Sequence, residues 1–391
     1  MIASVRENFN NNYSDERYQK YLREIWNYTN GETDFRICET PLFVDGELSQ
    51  KLQLAANEIA SYLLTDEFKI KSQDAIPANL SVPNEDSHPL FLQIDFAICS
   101  DENGKPIPKL IELQGFPSLY AFQVKLDDIN HQYYDIPSGF TPYFNGFTKD
   151  SYLDLFKTAV LGDHSPENVV LLEIEPWKQK TRIDFTLTKG YLGIEAVCIS
   201  EVIQRGRKLF YKKNGTEIPI RRIYNRVIFD ELLRKEIKPG FDFHSELDVE
   251  WAGHPNWFFK ISKHTLPQIK SRYAPNCYYQ SDLEKYPSDL DNYVLKPLYS
   301  FAGAGVKVEV TKEMLDGISE RKDYILQEKV EYMQLIKTPD EFSRAEVRMM
   351  FIWLDKPILV NNLLRTSKGK MMGVDFNKGK TWVGSNIVYH T

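Results

Sequence analysis

A chain of 391 residues, 42% apolar and 26% charged, has the composition of a globular protein with two or three domains. A net charge of -7 without any dense Lys/Arg tract argues against a nucleic-acid partner, and no apolar run approaches the roughly 18 residues that a membrane span requires. The opening MIASVRENFNNNYSDERYQK lacks an apolar signal region, so the cytoplasm is the expected location, and the scattered Cys38, Cys99, Cys198 and Cys277 suit neither a disulfide framework nor a zinc site.

Ser14-Asp15-Glu16 reads as the cap and acidic first turn of a helix running through Tyr18, Tyr21, Leu22 and Ile25. A second helix fits Glu47 to Leu64, where Leu48, Leu52, Ala55 and Ile59 recur at helical spacing. The Pro-, Asn- and Ser-rich stretch 74–88 is a loop, and two strands follow it, Gln93 to Ile98 and Lys109 to Gln114. With Asn103-Gly104 as a two-residue tip, Asp95 falls opposite Glu112 and Gln93 opposite Gln114, all on one face of the hairpin. Two carboxylates directly across a ladder repel by roughly 3 kcal/mol at about 5 Å and an effective dielectric near 20. A divalent cation with hard oxygen ligands would offset this, and Mg²⁺ is commonly held by one or two carboxylates together with nucleotide phosphates. Water or arginines supplied from elsewhere in the fold are the plainer compensation.

Farther along, Asn168 to Ile174, a helix from Pro176 to Lys189, and Gly193 to Ile199 form a strand–helix–strand unit with a right-handed parallel crossover, without the GxGxxG of a dinucleotide site. A hairpin with Asn214-Gly215 at its tip leads to the strand Arg221 to Arg226 and a helix through Leu233. Asn225 and Arg226 are candidates for anchoring a substrate carboxylate. The last third offers a strand Asn292 to Leu298, a small glycine-containing connection Ser300 to Gly305, a returning strand Val306 to Val310, a strand Tyr324 to Val330, and a strand pair Glu346 to Ile352 and Ile358 to Arg365. The connection lets backbone N–H groups approach phosphate oxygens, although it is not a Walker loop. Alternation places Glu346, Arg348 and Met350 on one face.

The stretches IDFAICSDENGKPIPKLIELQGFPSL, WFFKISKHTLPQI, YVLKPLYSFAGAGV, YILQEKV, and EVRMMFIW followed by NNLLRTSKG occur in this order between about residues 90 and 370. Together they resemble the circularly permuted ATP-grasp ligases, most closely the synthetase domain of the glutathionylspermidine synthase family. The resemblance implies a mixed α/β chain in which an ATP-grasp carries an inserted Rossmann-like pre-ATP-grasp domain. Residues 1–160 would form N-terminal helices and the metal-binding half, 161–248 the inserted substrate domain, and 249–391 the nucleotide-binding half. It also implies ATP and Mg²⁺ as cofactors, with Asp95, Glu112 and Gln114 as metal ligands and Lys260 and Lys296 along the phosphates. Gly303 and Gly305 fall in the phosphate lid. Gln327, Glu328 and Val330 fall in the hinge that holds adenine through backbone groups, and Glu331 falls beside the ribose. Arg365 falls near the transferred phosphoryl group, with Arg348 as its companion. In this chain Gln114 replaces the family's usual Asn, Gln93 stands where the family has an arginine, and the lid lacks the charged residue common in relatives.

The implied activity is joining a small-molecule carboxylate to an amine through an acyl phosphate. A small-molecule kinase on the same scaffold, or a nucleotide-binding protein without turnover, are the alternatives.

Overall fold

The computed structural model describes residues 1–299, 305–369 and 372–391. They form a mixed α/β fold with several sheets. The largest is antiparallel: Gly384–Asn386, Pro357–Ser367, Phe342–Trp353, Phe91–Ser100 and Pro106–Gln114 lie side by side in that order, and Ile336–Lys337 pairs with the end of Phe342–Trp353. The two long hairpins anticipated from sequence therefore meet edge to edge, with Arg348 directly opposite Asp95.

Alternation sorts this sheet into two faces. One buries Leu92, Ile94, Phe96, Val347, Met349 and Leu364 beneath the helix Gly46–Tyr62. The other carries Gln93, Asp95, Glu346 and Arg348, continues at one end into the apolar cluster of Phe91, Met350 and Ile352, and packs there on the helices Tyr120–Tyr133 and Lys149–Leu161. A polar row buried in a sheet face is costly unless each member is paired.

In the first hairpin Asp95 does face Glu112 and Gln93 does face Gln114, but not by the expected route. The ladder closes at Ser100 and Pro106, and the tip is the longer loop 101–105, where the Gly104 N–H donates to the Asp101 carbonyl at 2.9 Å and the Asp101 carboxylate accepts from the Lys105 N–H at 2.8 Å. That loop displaces the register by one residue, and a bulge at Ile111 displaces it back. The bulge also explains how Leu110 and Leu113 can both point into the core while Glu112 faces the other way.

The strand–helix–strand unit is present as Val169–Glu173, Arg182–Leu192 and Glu195–Cys198, with the two strands parallel. Pro176–Lys178 forms a separate 3₁₀ turn, so the helix begins later than expected. Arg222–Asn225 and Glu250–Ala252 extend this parallel sheet. Asn214 and Gly215 both take positive φ, 50° and 82°, as a two-residue turn of the primed type requires. A third sheet places Tyr324–Glu328 between Cys277–Tyr279 and Tyr293–Pro297. The expected returning strand Val306 to Val310 reduces to a single bridge between Lys307 and Leu295.

Glu173, at the end of the central parallel strand, is buried beside Arg226, and burial pushes its carboxyl up to about 8 despite that cation and a 2.7 Å hydrogen bond from the Ile174 N–H. Since the unfolded carboxyl titrates near 4.5, only the folded chain holds this proton between those values. Stability should therefore fall as pH rises through that window and level off above it, by a total on the order of a few kcal/mol. Glu173→Gln removes the slope. Its melting temperature should match the parent near pH 5 and exceed it near pH 8.5, and parallel pH profiles would show that Glu173 is already ionised in the folded chain.

Candidate active site

A cleft of about 1120 Å³ opens between the polar face of the large sheet and the three-stranded sheet. Glu112, Gln114, Lys296, Gln327, Glu328, Val330, Glu331, Arg348 and Arg365 all line it, although they come from five separate stretches of sequence. Gly115, directly after the hairpin, holds the strand end against the segment 257–261: a Cβ there would stand 2.3 Å from the Trp257 carbonyl oxygen. A second groove of about 1700 Å³, bordered by Tyr62, His264 and Tyr279, contains none of the sequence-predicted residues.

The charged row is tightly joined. Arg348 clasps Asp95 with two parallel bonds, Nε to Oδ1 at 2.6 Å and Nη2 to Oδ2 at 2.7 Å, and its Nη1 donates to Gln93 Oε1 at 3.2 Å. Arg365 donates to Asp95 Oδ2 at 2.7 Å and to Glu346 Oε1, and Tyr332 donates to Glu346 Oε2 at 2.8 Å. Burial alone would raise Asp95, but Arg348 and Arg365 hold its carboxyl below the usual range. Burial raises Glu346 despite Arg365. Arg365 is held firmly charged, since Glu346, Asp95 and Glu112 outweigh its desolvation.

Of the two compensations open from sequence, the arginines are present: Arg348 and Arg365 neutralise Asp95, which is almost fully buried and is not among the residues that line the cleft. Glu112, whose Oε1 accepts from Gln114 Nε2 at 3.0 Å, and Glu346 line it from the large sheet, and Asp291, Glu309, Glu328 and Glu331 line it from other segments. Among the described residues no group of three His, Cys, Asp or Glu side chains is arranged to hold a metal ion.

Lys260 is also placed differently from the expectation. The short helix Trp257–Lys260 turns its side chain onto the Trp257 ring, 5.0 Å from the centroid, and into an ion pair with Glu85. Three residues on, Lys263 lines the cleft, a position the sequence reading missed although both lysines stand in WFFKISKH. Burial lowers both Lys263 and Lys296, with Glu112 acting against it. Lys296 Nζ donates to the carbonyl of the bulged Ile111 at 3.4 Å.

Asn225 and Arg226 are buried outside the cleft. Asn225 Oδ1 accepts from the Val227 N–H at 3.2 Å, and the Arg226 guanidinium lies 5.4 Å from the Phe185 ring centroid. Gly305 has φ +72° and packs on Pro297 away from the cleft lining, while Gly303 lies outside the described residues. Glu346, Tyr332 and Lys180 also line the cleft. Of these, Glu346 carried a sequence signal, its alternation with Arg348.

No family model matches the chain, and no curated protein matches it. Among solved structures, a glutathione synthetase-like effector from Globodera pallida, determined in its apo form, superposes with a TM-score of 0.58 at 10% identity, covering 97% of this chain and 98% of that one. The chain thus has a fold similar to that of a glutathione synthetase-like protein.

Proposed function

We propose that the protein is an ATP-dependent carboxylate–amine ligase built on a circularly permuted ATP-grasp, with residues 161–248 as an inserted pre-ATP-grasp-like domain. The observation that carries this reading is the composition of the cleft: Lys263, Lys296, Arg348 and Arg365 converge on one cavity that also holds Glu112 and Glu346 and is bordered by the segment Gln327 to Glu331. The structural neighbour is consistent with a ligase-type fold.

The donor set suits a polyanion. Arg365 Nε is buried with no partner among the described residues, so this guanidinium retains a donor after bridging Asp95 and Glu346. Lys263 and Lys296 would flank the triphosphate as point charges. Glu112, with Gln114 fixed beside it, is the carboxylate best placed to share Mg²⁺ with phosphate oxygens, and the metal would supply charge neutralisation at the transferred group. Asp95 orients Arg348 and Arg365 instead of meeting the metal. Arg365 would then stabilise charge on the phosphoryl group and on the adduct formed when an amine attacks the acyl phosphate. Phe116 and Lys180 line the same cleft and are the residues against which a carboxylate substrate would rest.

Incubation with ATP, Mg²⁺ and a panel of acids, with and without amines, tests the reading through its products. ADP and free phosphate should appear in equal amounts and depend on both acid and amine. Phosphate retained on a hydroxyl product would assign a kinase, and nucleotide binding without turnover would assign a binding protein.

A further inference from the structure

The groove of about 1700 Å³ takes no part in the reaction proposed above, although Leu298 and Tyr299 border both it and the cleft. Pockets for single small molecules commonly measure about 300–1000 Å³, so this groove is sized for a length of chain. Tyr62, Tyr278, Tyr279, Tyr299 and Tyr324 line it. Three of their hydroxyl groups are already engaged. Tyr62 donates to Gln268 Oε1 at 3.1 Å, Tyr279 donates to the His264 carbonyl at 2.6 Å and accepts from Gln268 Nε2 at 2.7 Å, and Tyr299 donates to the Ala75 carbonyl. These rings are held in place, and what they add to the groove is mainly aromatic surface. Among the described residues no Lys or Arg of the chain stands over any of the five rings.

The charges of the groove do not cancel. Lys71 pairs with Glu67 at 2.6 Å and Lys322 with Glu320 at 3.9 Å. Glu58, Asp74, Asp282 and Asp323 are exposed there and have no ion pair among the described residues. The remaining lysine, Lys270, donates to the Pro267 carbonyl at 3.2 Å, and burial holds His264 below the usual imidazole range. Four unpaired carboxylates thus stand against one lysine. Such a field draws a cation in, and the electron-rich face of a tyrosine ring then holds it, a guanidinium more readily than an ammonium.

We infer that this groove docks an extended, arginine-bearing peptide segment of a partner protein, whose guanidinium groups lie over the tyrosine rings and pair with the unpaired carboxylates. The inference does not depend on what fills the cleft.

The test is fluorescence anisotropy of the full chain with labelled peptides in which glycine alternates with arginine, lysine or glutamate. The arginine peptide should bind, the lysine peptide should bind about threefold more weakly, and the glutamate peptide should not bind. Replacing both exposed acids in Asp74→Asn/Asp323→Asn should weaken the arginine peptide about fivefold. Asp150→Asn/Asp154→Asn removes the same charge from the helix Lys149–Leu161, outside the groove, and should keep the affinity within about twofold, since separations beyond about 8 Å are screened at physiological salt. Tyr278, at 37% the most exposed of the five rings, supplies the third variant: Tyr278→Leu should remove most of the advantage of arginine over lysine. Equal weakening by the two charge variants would reveal a general attraction to an acidic chain and overturn the docking site. An arginine peptide that fails to bind overturns it too, as does an arginine preference that is absent from the unmodified protein or survives Tyr278→Leu intact.

Discussion

Replacing Arg365 by alanine is expected to lower turnover in the ATP-dependent assay by about two to three orders of magnitude, the range seen when a donor to developing negative charge is removed. The KM for ATP should change much less, because Lys263 and Lys296 remain in the cleft. Arg365 bridges Asp95 and Glu346, and its remaining buried donor, Nε, is not used within the described residues. Its loss therefore removes charge from the cleft and leaves two buried carboxylates with less compensation. Glu346, already raised by burial, would then take up a proton more readily. Arg365→Lys should recover little, since one ammonium cannot reproduce the planar set of donors that spans two carboxylates. Steady-state kinetics on variants with native-like thermal unfolding would check this, and turnover within threefold of the parent would remove Arg365 from the reaction.

The second large effect is on stability. Asp184 is fully buried on the helix Arg182–Leu192, and its carboxylate receives the N–H groups of Leu119 at 3.1 Å, Ala121 at 2.9 Å and Phe122 at 2.9 Å. It therefore caps the helix Tyr120–Tyr133 from another element, satisfying donors that the local sequence leaves open. Burial raises its carboxyl above the ordinary range, and Arg226 and the three N–H groups act in the opposite direction. Asp184→Ala would orphan these donors and deprive buried Arg226 of a nearby anion, at a cost of about 3–5 kcal/mol. That is a large share of the roughly 5–15 kcal/mol typical of a folded domain. Asp184→Asn, which keeps one acceptor oxygen, should lose about half as much. Urea unfolding of the two variants would measure both, and a loss under 1 kcal/mol for the alanine variant would mean that water replaces the carboxylate.

The helix Tyr120–Tyr133 shows why part of the fold is not legible in sequence. It starts after Leu119, which has a positive φ of 63° and no side-chain cap of its own, and the capping carboxylate stands far along the chain. Nothing near residue 120 announces a start. The helix Asp15–Trp26 is the contrary case: Ser14 Oγ accepts from the Arg17 N–H at 3.3 Å, a local contact readable from Ser-Asp-Glu alone. The hairpin Phe91–Ser100 and Pro106–Gln114 lies between these extremes. Its facing pairs at Asp95 and Gln93 were anticipated, but two compensating shifts, in the tip and at Ile111, produced them.

The candidate site divides along the same line. Local pattern sufficed to put Glu112 and Gln114 on one strand face and Glu346 and Arg348 on another, and the family resemblance added the segment from Gln327 to Glu331. In the structure these meet in a single cleft. Local pattern could not settle which of Lys260 and Lys263 faces that cleft, because the choice depends on one helical turn and on Glu85 standing ready to take the other lysine.

The sequence by itself determined the alternating strands, the capped helices and the residue types able to meet a charged ligand, because period, capping and side-chain chemistry are properties of a few neighbouring residues. Only the tertiary structure decided that Asp95 pairs with Arg348 and Arg365 and that Arg226 and Asn225 lie outside the cleft. A charge takes whatever partner the fold brings within about 3 Å, and that partner comes from a strand hundreds of residues away.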